Sequence, residues 1–206
     1  MNTDFNYSSV ASLIQAAEKN NLPVSALVLS QQAQQIELDE KTVYEKMASN
    51  FQVMKECIEP GCDEHLKSTS GLTGGDAFKL RRYSESGKSL TGSFLSGALY
   101  RALAVSELNA SMGRIVAAPA ALITMQEEKG CSDHDCVMAL FTASAVGMVI
   151  ANNASLAGAQ GGCQAECGSA AAMAAAAITE LAGGTPHMVS QAVAIALKNI
   201  LGLVCD

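Results

Sequence analysis

The stretch CGSAAAMAAAAITELAGGTPHM, residues 167–188, decides the fold class. Its run of alanines is a strong helix signal, because alanine has the highest intrinsic helix propensity of the amino acids. Gly183 and Gly184 end that helix. Thr185 and Pro186 start another, since threonine caps helix N-termini and proline suits the first helical turn. The stretch therefore predicts two consecutive helices.

The composition of the 206-residue chain extends this prediction. Hydrophobic residues make up 49% of the chain, but aromatic residues only 4%, and there is no tryptophan. Little of the apolar content is therefore the aromatic or β-branched material that favours strands, and no alternating strand pattern appears. We predict an all-α fold, a compact multi-helix domain with small-residue helix packing and glycine-rich loops around one site.

The net charge and the hydrophobic pattern indicate which binding partners and which cellular location to expect. The net charge of −7 opposes nucleic acid binding, which needs a positive field. The opening MNTDFNYSSV lacks the basic and apolar regions of a signal peptide. Two apolar stretches, 137–151 and 170–182, fall short of the roughly 20 residues that a membrane-spanning helix needs. We expect a cytoplasmic protein that binds neither nucleic acid nor membrane.

The chain divides into two predicted regions. Residues 1–65 form an N-terminal helical segment that acts as a cap or docking unit, and residues 66–206 form the domain that carries the site. Helix starts in the first region are predicted at Ser8 or Ser9, at Pro23 with Ser25, and at Asp39, with the third helix ending before Pro60. The later helices are predicted over about 76–86, 92–112, 120–129, 132–152 and 186–201, besides the alanine-rich helix.

Two of the seven cysteines are candidate metal ligands. Cys163 lies between Gly161-Gly162 and a predicted helix, and a helix N-terminus stabilises the thiolate, which is the form that binds metal. Cys205 follows the predicted end of the last helix. The two cysteines can converge on one site or be unrelated buried thiols, and their spacing leaves both readings open.

Packing is the favoured role for the other five cysteines. Cys167 follows one helical turn after the first candidate ligand and can join it, or it is a small core residue. Cys131 and Cys136 flank a helix start, where acidic residues need no metal to explain them. Cys57 and Cys62 lie at a helix end, where surface or packing thiols are expected.

The segment LKSTSGLTGGDAFKL, residues 66–80, is a second candidate site. Its glycines and hydroxyl side chains lead into a helix, so backbone amides and the helix N-terminus can hold a small carboxylate. An ordinary helix-capping turn is the alternative. The segment is not a phosphate-binding Walker loop, because no Gly-Lys-Ser/Thr follows at the required distance.

These motifs resemble a known family. KSTSGLTGGDAFKL (67–80), AVSELNASMGRIVAAP (104–119), NNASLAGAQGGCQAECGSAAAMAAAA (152–177), ELAGGTP (180–186) and ALKNILGLVCD (196–206) are similar to the α chain of iron–sulfur-dependent L-serine dehydratases. The resemblance covers nearly the whole chain and is weakest before residue 60. Its most specific parts are GGCQAE and GLVCD, in this order and at this separation.

The resemblance implies a cofactor. In the family, three cysteines hold a [4Fe–4S] cluster and leave one iron open for substrate, without pyridoxal phosphate. Cys163 matches the first ligand and Cys205 the second. The family's third ligand lies in a segment that would follow Asp206. A Gly/Ser-rich loop of the family is also missing after Pro119, where Ala120-Ala121-Leu122 follows instead.

The resemblance also implies an activity, the deamination of L-serine to pyruvate and ammonia. This lyase reaction belongs to amino-acid degradation and can supply gluconeogenesis. The family's general base, a histidine, is expected on a β chain or domain, so none of His65, His134 and His187 is nominated, and we expect an oligomer. The candidate substrate-binding residues are Ser70, Thr73, Gly74 and Gly75 for the carboxylate, with Asn109 and Asn153 as weaker polar candidates.

Two alternatives stay open at this point. One is a dehydratase for another small hydroxy amino acid such as threonine, which assays of both substrates distinguish. The other is a catalytically inactive helical subunit that only binds a partner.

Overall fold

The computed structural model describes residues 7–88, 92–112 and 119–202. Helices are its regular secondary structure, and these residues contain no strand, so the all-α prediction is confirmed. The helices are α1 (Val10–Asn20), α2 (Val24–Gln35), α3 (Glu40–Glu56), α4 (Ile58–Gly61), α5 (Asp76–Glu85), α6 (Ser93–Met112), α7 (Pro119–Lys129), α8 (Asp133–Asn153), α9 (Gly158–Gly161), α10 (Cys163–Leu181) and α11 (Pro186–Ile200).

The contacts divide the chain into two compact units. Unit 1 comprises residues 1–48 and 133–206, and unit 2 comprises residues 49–132. The predicted boundary at residue 65 falls inside unit 2. That boundary separated a docking segment from a site-bearing domain, and this functional division stays a prediction.

Helix α8 forms the core of unit 1, where it packs against α2 and α10. Phe141 and Val146 on α8 are fully buried, as are Leu27 and Val28 on α2. By length and composition, α8 is the one described helix that could cross a membrane, and 61% of its most apolar window is buried in the structure. The core helix of a soluble protein has the same properties.

Small residues let the helices of unit 1 approach closely. A Cβ on Gly147 of α8 would lie 2.9 Å from the sulfur of Met173 on α10, and one on Gly168 of α10 would overlap Ile200 of α11. Because interiors are packed to crystal-like density, these glycines fix how near the helix axes lie. The predicted small-residue packing is present at both contacts.

Helix α6 is the centre of unit 2 and packs against α4, α5 and α7. Gly61 of α4 lies so close to the backbone of Ala104 that a Cβ would overlap it. The buried Arg101 of α6 donates to the Thr124 hydroxyl at 2.9 Å and pairs with Glu127, both on α7. These contacts join α6 firmly to the helices on either side.

Local side chains cap several helices as predicted. Ser9 forms a capping box with Ser12 at the start of α1, and Thr185 accepts from the Met188 amide at the start of α11. Asp39 accepts from the Thr42 amide at 2.9 Å. The third helix also ends before Pro60, as predicted. It stops at Glu56, and Pro60 lies within the short helix α4.

Helices α2 and α5 start differently, because neither has a side-chain cap from its own first residues. Pro23 precedes α2, and Gly75, in a left-handed conformation, precedes α5. Their first amides bond instead to glutamates from distant helices. Glu180 of α10 serves α2, and Glu107 of α6 serves α5.

Candidate active site

The glycine-rich loop before α5 makes a turn that only glycine can make. Gly74 has φ 132° and Gly75 has φ 81°, and both residues are buried. A Cβ on Gly74 would overlap the carbonyl oxygen of Leu66, and one on Gly75 would lie 2.9 Å from that of Glu64. Positive φ and close backbone contact both exclude a side chain here.

Hydrogen bonds within the loop hold its hydroxyl-bearing part. The Ser68 amide donates to the Thr73 carbonyl at 2.9 Å, and the Thr73 amide donates to the Ser68 hydroxyl at 3.2 Å. The hydroxyls of Ser68 and Ser70 lie 3.1 Å apart. Ser70 and Thr73 are exposed, so their hydroxyls can bond to a ligand from outside the loop.

Glu107 places a carboxylate at the start of α5. It accepts from the amide of Gly75 at 2.9 Å, from that of Asp76 at 2.9 Å and from that of Ala77 at 3.3 Å. Its exposed fraction is 7%. This is the arrangement expected for an anion at a helix N-terminus, but the anion is the protein's own side chain. Sequence reasoning missed Glu107, because nothing in its neighbourhood indicates a partner some thirty residues away.

Three charged side chains surround the loop. Lys67 Nζ lies 3.4 Å from the Gly74 carbonyl oxygen, and Lys79 Nζ lies 2.7 Å from Asp76 Oδ1. The hydrogen bond from Lys79 lowers the pKa of Asp76, and the same contact raises the pKa of Lys79. Because the pair is solvent-exposed, it contributes little to the structure of the loop.

Cys163 is the first residue of α10. Gly162 precedes it with φ 78°, and a Cβ at Gly162 would meet nothing within 4 Å. Cys163 was predicted to lie directly after a glycine pair at a helix start, and it is observed there. Its side chain is not among the parts of the chain that the structure describes. Cys205 lies outside the described residues altogether. The predicted proximity of the two cysteines stays a prediction.

Three of the remaining five cysteines occupy packing positions, and Cys131 is half-buried. Cys57, Cys62 and Cys136 are buried, whereas Cys167, one turn after the start of α10, is exposed. Burial raises the pKa of the Cys62 thiol, and the guanidinium of Arg81 offsets this in part. Within the described parts of the chain, no group of three His, Cys, Asp or Glu side chains could hold a metal ion.

The two asparagine candidates lie in different units. Asn109 is on α6 in unit 2, and its side chain is outside the description. Asn153 ends α8 in unit 1, where its Nδ2 donates to the carbonyls of Val149 at 2.7 Å and Ser8 at 3.1 Å. Its amide nitrogen therefore ties the end of α8 to the start of the chain, and its role toward substrate stays a prediction.

Two of the three histidines have a polar side chain beside the ring. His65 is exposed, with Nε2 3.4 Å from Glu64 Oε1, and His134 Nδ1 lies 3.1 Å from the Tyr44 hydroxyl. His187 is exposed in the first turn of α11. The contacts of these rings give no reason to nominate any of them as the base.

Fold and site together define a class of protein. It is a helical chain with a cysteine at the start of a long helix and a glycine-rich turn that leads into another helix. The family model described as serine dehydratase alpha chain matches residues 19–206.

Individual relatives agree with the family model. The probable L-serine dehydratase, alpha chain, of Bacillus subtilis is 43% identical over 97% of this chain and 69% of the relative. The L-serine dehydratase, alpha chain, of Peptoniphilus asaccharolyticus is 36% identical over 94% and 70%, respectively. The L-serine dehydratase of Streptomyces coelicolor is 34% identical over 94% of this chain but 45% of its own length. The chain belongs to the serine dehydratase alpha-chain family, and its function is that of a subunit of this lyase.

Proposed function

We propose that this chain is the α subunit of an L-serine dehydratase of the iron–sulfur type, working in the cytoplasm with a β chain. It would hold a [4Fe–4S] cluster in part through Cys163 and Cys205 and convert L-serine to pyruvate and ammonia. The observation that carries the proposal is the family match over residues 19–206. The longer Streptomyces coelicolor relative, of which this chain covers 45%, supports a second component of similar size.

The position of Cys163 fits a cluster ligand. As the first residue of the 19-residue helix α10, it lies where the helix dipole and free amides favour the thiolate over the thiol. Thiolates are the ligands that hold iron–sulfur clusters. The open space around Gly162 leaves room in front of the helix. A bound cluster would supply a Lewis acid for the serine hydroxyl.

The chain's own loop would bind the substrate. The exposed hydroxyls of Ser70 and Thr73 can donate hydrogen bonds to the serine carboxylate. Gly74 and Gly75 make the turn that ends the loop, and Asn109 and Asn153 remain candidates for further polar contacts. Binding the carboxylate orients the substrate so that its Cα–H can face a base, which we assign to the β chain.

The reaction itself is an elimination followed by hydrolysis. The base takes the Cα proton, the Cβ–O bond breaks, and the hydroxyl leaves as water, which gives aminoacrylate. This enamine tautomerises to the imine, and water converts the imine to pyruvate and ammonia. Serine needs such help because hydroxide is a poor leaving group and its Cα proton is weakly acidic.

Cysteine variants test the cluster assignment. The complete chain is reconstituted anaerobically with iron and sulfide, and its cluster absorbance and iron content are measured. We expect Cys163→Ser to lose the cluster, because its thiolate is a ligand, whereas Cys57→Ser and Cys131→Ser keep it. Retention of a full cluster by Cys163→Ser contradicts the assignment.

Activity with and without the β chain tests the partnership. Because general acid–base catalysis contributes about 10²–10⁴-fold to rate, the reconstituted α chain alone should form pyruvate more slowly by that order. Equal rates with and without the β chain would place the base on this chain. Equal turnover of L-threonine would favour the broader hydroxy amino acid specificity, and a complex without activity would favour the inactive partner-binding subunit.

A further inference from the structure

Glu107 brings a buried carboxylate to the point where the amides of the candidate substrate loop converge. We propose that Glu107 is a positioning residue for the serine carboxylate. It anchors the Gly74–Gly75 turn, keeps the substrate off the start of α5, and thereby leaves the Ser70 and Thr73 hydroxyls to receive it. The inference rests on the proposed function.

The amide donors at the start of α5 are already occupied. The amides of Gly75, Asp76 and Ala77 are the donors that a helix N-terminus offers to an anion, and all three bond to Glu107. Hydrogen bonds to an ionised acceptor are about twice as strong as neutral ones. A second carboxylate at the same place would also meet like charge in a buried setting, where such repulsion is poorly screened. The substrate carboxylate therefore binds elsewhere on the loop.

The conformation of the Gly74–Gly75 turn depends on its surroundings. Gly74 and Gly75 have positive φ angles and are packed against the backbone of residues 64–67. Because glycine has wide conformational freedom, one conformation of such a turn persists only where its surroundings determine it. The amides of Ser68 and Thr73 bond to acceptors within the loop. Glu107, in contrast, ties the end of the loop to α6.

The helix that carries Glu107 is itself held in place by its neighbours. Helix α6 packs against α4, α5 and α7, and Arg101 joins it to α7 by two further side-chain contacts. The Glu107 carboxylate is therefore held by a packed helix. Thr73 is two residues before the anchored Gly75, so the anchor sets where its hydroxyl points.

Without the anchor, the loop would sample conformations that do not bind serine. The apparent affinity of a ligand falls in proportion to the fraction of protein in the competent conformation. The change should appear mainly in KM, because Glu107 touches neither the reacting atoms nor a cluster ligand in this scheme.

Glu180 provides the matched control. Its carboxylate also serves the start of a distant helix, accepting from the Ser25 amide at 3.2 Å, but it belongs to unit 1, whereas the loop belongs to unit 2. Glu180→Gln thus removes the same kind of contact, with the same change of charge, at a helix start of the other unit.

The experiment compares wild type, Glu107→Gln, Glu107→Asp and Glu180→Gln as cluster-loaded α chain with its β chain. Steady-state kinetics with L-serine gives KM and kcat, and hydrogen exchange reports on the amides of residues 75–77. We expect Glu107→Gln to raise KM about tenfold, as for a competent fraction of about one tenth, and to speed exchange of these amides. Glu107→Asp keeps the charge on a shorter side chain and should be intermediate. Glu180→Gln should leave KM and this exchange as in wild type.

Several outcomes would overturn the inference. One is an unchanged KM in an active Glu107→Gln enzyme, or in Glu107→Asp if the glutamine variant does not fold. Another is an equal rise of KM in Glu180→Gln, which would make the effect a general loss of stability. Unchanged exchange at residues 75–77 contradicts the anchoring itself. A wild-type complex that forms no pyruvate refutes the proposed function instead, and the exchange result then still decides whether Glu107 anchors the turn.

Discussion

The first amides of α2 and of α5 are both capped by a remote carboxylate, but to different extents. Each helix starts without a side-chain cap of its own, and each receives a glutamate from a distant helix. Glu107 is buried and takes three amides at the start of α5. Glu180 is half-buried, and both of its oxygens face the single amide of Ser25, at 3.2 and 3.4 Å. Both helices use a remote glutamate as a cap, but the two glutamates differ in their burial and in the number of amides that they accept from.

That difference indicates what determines the contribution of a remote cap to the free energy of unfolding. The cost grows with the number of amides that lose their acceptor, and it is smaller where water can reach the place of the lost carboxylate, as it can at the half-buried Glu180. Removing the two glutamates should therefore have unequal effects, although both belong to the same class of contact.

The largest effect is expected for Glu107→Ala. It leaves three amides at the start of α5 without their acceptor, two of them on the buried residues Gly75 and Ala77, and we expect the free energy of unfolding to fall by about 3 kcal/mol. Urea unfolding of the α chain, followed by circular dichroism, measures it. A loss no greater than that of an exposed helix cap would show that water replaces the carboxylate at little cost.

A smaller effect is expected for Glu180→Ala. It removes one partly exposed cap from α2, and the typical cost of losing an N-cap is about 1 kcal/mol. The same urea experiment applies, with Glu37→Ala, at an exposed position after α2, as the control. If Glu180→Ala costs as much as Glu107→Ala, burial does not explain the difference between the two caps.

The smallest effect, and one of opposite sign, is expected for Thr142→Val in α8. The Thr142 hydroxyl is the one buried side-chain polar atom in the described residues that has no hydrogen-bond partner. Replacing it with a methyl group of similar volume should raise the free energy of unfolding by about 0.5 kcal/mol. Ala143→Ser, next to it in the same buried helix, should instead lower stability. A destabilised Thr142→Val would mean that this hydroxyl has a partner after all.

The same comparison shows what could be predicted from sequence. The caps at Ser9, Asp39 and Thr185 were predictable, because each bonds to an amide three residues ahead and the pattern is local. The start of α10 at Cys163 was predictable for a similar reason, since the pair Gly161-Gly162 comes directly before a helical pattern. The short helix α9 was not, because four residues carry no periodicity.

Remote contacts lay beyond prediction from the sequence. Glu107 bonds to amides 30–32 positions away, and Glu180 to one 155 positions away. Nothing in SELNAS or ITELAG distinguishes these glutamates from solvated ones. The carboxylate-binding character of the 66–80 segment was predicted from its amides and glycines, but the carboxylate found at its helix start belongs to the protein itself.

The division into units also affects how the chain is made. Unit 2 is continuous in sequence, whereas unit 1 joins residues 1–48 to residues 133–206. During synthesis, Ser25 emerges 155 residues before its partner Glu180. For that interval, Leu13 and Leu27, both fully buried in the finished protein, lack part of the surface that covers them. Nascent chains with exposed apolar helices aggregate readily, so the N-terminal helices are the segment that we expect chaperones to bind on the ribosome.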